Sequence, residues 1–216
     1  MNAAVVRAFD APPRYATFEE PVAAEGELLV KVSAAGLHPI VKALANGTHY
    51  GSTGALPFIP GIDGVGRLED GTRVYFGIAR SPFGSFAERT IASASMCMAL
   101  PDGLEDAAAA GLANPGMSSW AALTVRARFA AGESVLILGA TGVAGQLAVQ
   151  IAKRLGGMFA AAVAGIQHRA RRIVGRDSRR AVVRMPQHND VGISADDANR
   201  IGKTLSLRGR ACVHIC

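Results

Sequence analysis

Apolar and polar side chains alternate along Glu27–Ser33 (ELLVKVS), the period-two pattern of a half-buried strand. Met1–Arg7 reads as an earlier strand, and Thr72–Phe76 (TRVYF) and Gly84–Ile91 (GSFAERTI) as later ones. Turn pairs punctuate the stretch at Pro60-Gly61, Asp63-Gly64 and Asp70-Gly71. The first hundred residues therefore predict a β-rich, barrel-like region. Past Pro101 the period changes. Glu105–Leu112 is alanine-rich and helical, and Met117–Arg126 continues as a helix with Ser118 or Ser119 near its start. Ser134–Leu138 (SVLIL) is a short apolar run between Gly132 and Gly139, as a buried parallel strand reads. Gly145–Leu155 is amphipathic, with Leu147, Ile151 and Leu155 four apart. Met158–Ala164 predicts the next parallel strand.

Beyond residue 168 arginines and aspartates alternate with single apolar residues, and no clean period survives past Val183. A β-α-β unit begins properly and its continuation reads as replaced or lost, as in a truncated or frame-shifted chain. Charge marks the same change. Residues 1–157 carry 12 Lys+Arg and 13 Asp+Glu, a net of −1, whereas residues 158–216 carry 11 and 4, a net of +7. The sequence pI of 9.7 thus describes the tail. Such a value is the usual footprint of a nucleic-acid partner. The tail holds one aromatic, Phe159, and no nucleic-acid motif, so a miscoded or unfolded segment is the preferred reading.

Half of the 216 residues are hydrophobic, which suits a sizeable core and excludes disorder throughout. No apolar stretch approaches the roughly 20 residues of a membrane span, and the N-terminus lacks the features of a secretory signal. Cys97, Cys212 and Cys216 form neither a metal spacing nor a disulfide framework, so a reducing, cytoplasmic setting is expected.

The strongest chemical motif is the run Gly139 to Gly145 (GATGVAG), with Ala140, Gly142 and Gly145 in an A-x-G-x-x-G pattern. It follows a predicted strand and opens a predicted helix, the context that gives such a pattern meaning. Gly142 would let the backbone approach a pyrophosphate, and Gly145 would let the helix pack close to the strand. Thr141, Val143 and Ala144 complete a loop whose free N–H groups meet phosphate. The alternative is a plain strand-to-helix turn. About 20 residues on, where an acidic residue would hold a ribose 2′-hydroxyl, the chain reads Gly165-Ile166-Gln167-His168-Arg169. Arg169 could meet the 2′-phosphate of NADP; equally, it belongs to a tail in the wrong register.

Several segments, in order and across residues 1–157, carry a family likeness: Glu27–Gly36, Pro57–Gly66, Gly84–Glu88, Leu100–Gly103, and the glycine loop with Gln146–Lys153. The chain resembles the medium-chain dehydrogenase/reductase superfamily, close to its zinc-independent, alcohol dehydrogenase-like quinone oxidoreductases. The resemblance implies an α/β protein. Residues 1–115 would form a GroES-like β-barrel domain, residues 116–168 a partial Rossmann domain with a parallel sheet, and residues 169–216 an atypical basic tail. It also implies a small-molecule substrate in the cleft between the domains, and hydride transfer from NADPH to a quinone or enone-like carbonyl. A homodimer is a further implication. A catalytically inactive remnant is the alternative.

Zinc-dependent relatives carry a Cys after the strand ending near Gly36 and a His-Glu pair after the next glycine. Here those places read Leu37-His38-Pro39 and Gly61-Ile62-Asp63. His38 and Asp63 alone do not make a zinc site, so no metal is expected. Without one, catalysis rests on placement and on donors to the acceptor oxygen. His49 and Tyr50 stand where the family lines its cleft, and Tyr50 would donate to a carbonyl; an exposed turn is the competing reading. Asn114 and Ser118 resemble residues leading into the helix beside the cofactor. Their alternative is a helix cap, with Trp120 as core packing.

Overall fold

The computed structural model describes residues 1–52 and 54–157 and, beyond them, the backbone of three strands at 159–163, 180–184 and 213–214. It divides into two units, Met1–Asn114 and Pro115–Cys216. The first holds β1 (Asn2–Val5), β2 (Arg14–Thr17), β3 (Glu27–Ala35), α1 (Pro39–Ala45), β4 (Gly64–Arg67), β5 (Arg73–Phe76), β6 (Arg89–Ser93) and β7 (Cys97–Ala99). Five strands form a curled antiparallel sheet in the order β6-β3-β4-β5-β7, and β1 pairs with β2. The alternation in Glu27–Ser33 is genuine: Val30 is fully buried while its neighbour Lys31 is exposed. A register shift between Val32 and Ala34 bends β3 where it pairs with β4.

The strand expected from Gly84 begins only at Arg89. Gly84 is instead packed against the backbone of residues 59–60, where a Cβ would come within 2.2 Å of the Ile59 carbonyl. That approach suits a tight loop crossing, and it leaves no room for the side-chain alternation of a strand.

A single helix, α2 (Asp106–Ala121), runs through the Asn-Pro-Gly segment and continues as a π-helical turn, Ala122–Arg126. The sequence signals helix over Glu105–Leu112 and its continuation over Met117–Arg126, and the structure joins the two without interruption. Burial on either side of Pro115 overrides its local signal: Ala109 and Ala110 pack with Val65 and Tyr75, and Ala122 and Leu123 enter the second core. At the start of α2, the Asp106 carboxylate accepts hydrogen bonds from Ser33 Oγ and Arg73 Nε, both at 2.5 Å. Arg73 also donates to the carbonyls of Pro101 and Leu104.

The second unit contains β8 (Ser134–Leu138), α3 (Val143–Arg154), β9 (Phe159–Val163), β10 (Arg180–Arg184) and β11 (Val213–His214). All pair in parallel, in the order β11-β10-β8-β9. The strand expected near Met158 is β9. The tail supplies β10 and β11, although its arginine-rich sequence announces neither. Val135 and Ile137 from β8, Ala148 and Ala152 from α3, and Leu123 and Phe129 form the core. Among the described residues no helix is long and apolar enough to cross a membrane.

Phe76 is fully buried beside Val30 and Val74. Phe76→Ala is expected to destabilise the protein by about 3–5 kcal/mol, read as a lower urea midpoint. Asp106 yields a second expectation. The Ser33 hydrogen bond first, and the Arg73 contacts next, hold its carboxyl below the ordinary 3.8. A depressed folded value means the stabilisation is present above 3.8 and is lost as pH falls through the lower folded value. Asp106→Asn should therefore reduce stability at neutral pH and flatten its decline in that acid window, measured by thermal unfolding across pH.

Candidate functional site

The glycine loop is built by the close approach of a helix to the strand before it. The chain leaves β8 through Gly139, whose φ of 76° is a conformation glycine adopts freely. The Gly142 N–H donates to the Gly139 carbonyl at 3.1 Å and closes the turn. The Gln146 N–H donates to the Gly142 carbonyl at 2.9 Å, and the Gln146 Nε2 donates to the Thr141 carbonyl at 2.9 Å. At Gly145 a Cβ would lie 2.2 Å from the Gly139 oxygen and 2.6 Å from Ala140 Cα. Backbone occupies that space, so only glycine fits.

Gly142 differs. A Cβ there would meet its nearest atom, the Gly139 oxygen, at an ordinary 3.6 Å. Thr141, Gly142 and Val143 are all exposed, so Gly142 leaves bare backbone facing outward. It caps α3 in extended conformation with no side-chain cap, and the first turn carries no acidic residue. The first N–H groups of a helix have no intrahelical acceptor, and its dipole is positive there. An exposed helix start with no carboxylate of its own fits a phosphate group. The loop is held from below: Ser119 Oγ lies 2.7 Å from the Ala144 carbonyl and 2.8 Å from the Pro115 carbonyl.

Asn114 and Ser118 do not cap a helix, because both lie half-buried inside α2. Trp120 is 49 % exposed and so is not core packing. Arg169 lies outside the described residues.

His49 and Tyr50 follow α1 on a tight turn. The N–H groups of Thr48 and His49 both donate to the Ala43 carbonyl, and His49 Nδ1 accepts from the Gly51 N–H at 3.0 Å. The two rings lie 4.2 Å apart, and Tyr50 is 97 % exposed. Below this turn is a pocket of about 120 Å³ lined by Phe9, Leu44, Phe58, Ile62 and Ala79, with Ser52 at its wall.

A third group of residues was not assembled by the sequence reading. Asp63, 1 % exposed, accepts a hydrogen bond from the Tyr75 hydroxyl at 2.7 Å, and His38 Nε2 lies 3.2 Å from the same oxygen, Oδ2. Asp63 Oδ1 is buried without a partner. Burial first, and Asp63 next, push the Tyr75 hydroxyl well above its ordinary pKa, so it stays a neutral donor. His38 and Asp63 entered the sequence analysis only as deficient metal ligands, and Tyr75 only as part of a strand. Their separation along the chain leaves no local pattern. The available signal was a histidine and an aspartate, each just after a turn glycine, at Gly36 and Gly61. Among the described residues, no group of three or more His, Cys, Asp or Glu side chains gathers as metal ligands.

No family model matches the chain. It is 33 % identical over 146 residues to the human quinone oxidoreductase, a match covering 63 % of this chain and 44 % of that protein. It is 30 % identical over 209 residues to a probable NADPH-dependent quinone reductase of Emericella nidulans, covering 82 % and 59 %. The quinone oxidoreductase of Thermus thermophilus, whose structure was solved free and with NADPH, superposes with a TM-score of 0.71 at 29 % identity, over 86 % of this chain and 66 % of that one. The chain thus spans a little under half the length of the human protein it matches.

Gly145→Ala should force helix and strand apart and cost about 1–3 kcal/mol, as overpacking does. The check is urea unfolding, and an unchanged midpoint would show that the loop has slack.

Proposed function

We propose that this chain, which belongs to the medium-chain dehydrogenase/reductase superfamily on its quinone oxidoreductase side, binds NADPH at the 139–145 loop and reduces a quinone or enone-like carbonyl without zinc. The observation that carries the proposal is the exposed, acid-free start of α3 behind Gly142, a glycine that the protein's own packing does not require. When bound, the nicotinamide supplies a hydride. The chain's own residues supply the rest. The first-turn N–H groups of Val143, Ala144 and Gly145 would hold the phosphates, with Ala140 and Thr141 shaping the turn. Asn114 and Ser118 on α2 would touch cofactor or substrate, and Arg169 would favour the 2′-phosphate of NADP. His49 and Tyr50 would present hydrogen bonds to the acceptor.

The zinc-free part of the proposal rests on donor chemistry. Ile62 offers no ligand atom, and the His38 and Asp63 side chains face each other at 3.2 Å. A tetrahedral zinc site would need three or four ligand atoms turned toward one point.

The test is a titration with NADPH followed by a panel of quinones and enones, monitoring NADPH oxidation. Saturable binding with turnover supports the reading. Binding without turnover favours a non-catalytic relative, and no binding by folded protein overturns the proposal. Gly142→Ala provides the local check. The protein's own packing has room for the methyl, so unfolding should shift by about 1 kcal/mol or less. NADPH affinity should fall at least about tenfold, because backbone approach is what Gly142 permits.

A further inference from the structure

We infer that Gln146 is the positioning residue of the 139–145 loop: its side-chain amide takes the Thr141 carbonyl, the acceptor that the Gly145 N–H would otherwise use, and so leaves that N–H for a phosphate oxygen of the bound nucleotide. The inference rests on the NADPH reading above and deepens it, and every residue involved lies within the second unit.

In an α-helix each N–H donates to the carbonyl four residues back. For Gly145 that carbonyl belongs to Thr141. Here it accepts from Gln146 Nε2 at 2.9 Å, and the Gly145 N–H does not donate to it. The helical ladder starts one residue later, with the Gln146 N–H on the Gly142 carbonyl at 2.9 Å. Gly142 is extended, with a ψ of 163°, and as N-cap it has no side chain to fix where the helix begins. Gln146 fixes the start from the other side. Were the helix to begin one residue earlier, the Gly145 N–H would be spent on Thr141.

The count of donors shows what that would cost. The Gly142 N–H already donates to the Gly139 carbonyl at 3.1 Å. Those of Val143, Ala144 and Gly145 donate to no other group among the described residues. Gly145 is buried, and a buried N–H without an acceptor is rare. Its direction is fixed as well. The Gly145 N–H and the Ala144 carbonyl belong to one planar trans peptide and point opposite ways. Ser119 Oγ, itself buried, lies 2.7 Å from that carbonyl, so the N–H is held toward the open end of the helix.

The residue type suits the task. Side chains on a helix lean toward its N-terminus, so position 146 covers the first turn. In a capping box a Glu or Gln at the third helical position binds the N-cap N–H and consumes a donor. In α3 the third helical position is glycine, and the amide one residue later consumes a carbonyl instead. It thereby covers the negative end of a peptide dipole beside the phosphate position and brings no charge of its own. The basic residues of α3, Lys153 and Arg154, stand in its last turn, so the first turn relies on backbone donors alone.

The test uses the full chain, with NADPH as the probe and the Gly145 amide as a second readout. Gln146→Leu keeps the bulk and loses the donor. Its Gly145 amide should gain the Thr141 acceptor, shift downfield in ¹⁵N-resolved spectra and exchange with solvent more slowly. Its NADPH Kd should rise about tenfold. Gln146→Glu should weaken binding further, because a carboxylate only accepts and adds negative charge. Should the Leu variant unfold, Gln146→Ala gives the same readouts. A glutamine that only stabilises the fold would lower the urea midpoint and leave the Gly145 amide unchanged. Folded variants with a Kd within about twofold of wild type overturn this inference alone. An unaltered Gly145 amide does the same. A folded wild type that does not bind NADPH overturns the oxidoreductase reading and this inference with it.

Discussion

In the second unit everything near the loop depends on how closely α3 can approach the end of β8. The limit is set at Gly145, where the Gly139 carbonyl occupies the space of a side chain. One turn and two turns further along, Ala148 and Ala152 present only methyl groups and are fully buried. The helix therefore lies low along its length, and larger side chains from elsewhere, Leu123 and Phe129, fill the remaining volume. Close packing of this kind leaves little freedom, since protein interiors transmit strain and do not absorb it. The position of the helix start is thus a packing outcome, reinforced by Ser119 beneath the Ala144 carbonyl.

The first unit solves a different problem, which is to keep a carboxylate inside a curled sheet. Asp63 is buried just before β4, in the unit where Val65 and Tyr75 pack with Ala109 and Ala110 of α2. Thr90, also buried in this unit, settles locally by donating to the Phe83 carbonyl at 2.5 Å. Asp63 cannot, because its second oxygen has no donor within reach. Stability alone would favour an apolar residue at such a position.

These two features were unequally legible in the sequence. The strand, loop and helix from Ser134 to Arg154 could be read because each signal is local: an apolar run, a glycine spacing and a helical period within about 20 residues. The parallel strand at Phe159–Val163 followed from the same logic. Boundaries set by tertiary packing could not be read. Pro115 and Gly116 carry breaker signals, yet α2 passes through them because its two ends are buried. Gly84–Glu88 looks like strand, but Gly84 is pressed against the Ile59 carbonyl. The His38, Asp63 and Tyr75 group is the clearest case. Its members lie 25 and 12 residues apart and meet only because β4 and β5 pair and Gly36 lets the ring fold back.

The start of α3 also shows what is missing from the helix. Helices gain about 0.3–1 kcal/mol from an acidic side chain in the first turn, and a similar amount from a side-chain cap. Here Gly142 gives no cap, and Val143, Ala144 and Gly145 bring no charge. Val143 even exposes half of its side chain at that position. α2 uses the first of these devices, with Asp106 in its first turn. The two helix starts differ in what stands before them. At α2, Ser33 and Arg73 already hold the carboxylate in place. At α3 the turn residues Thr141 to Val143 are exposed, and no side chain of the first turn offers the helix dipole a negative charge.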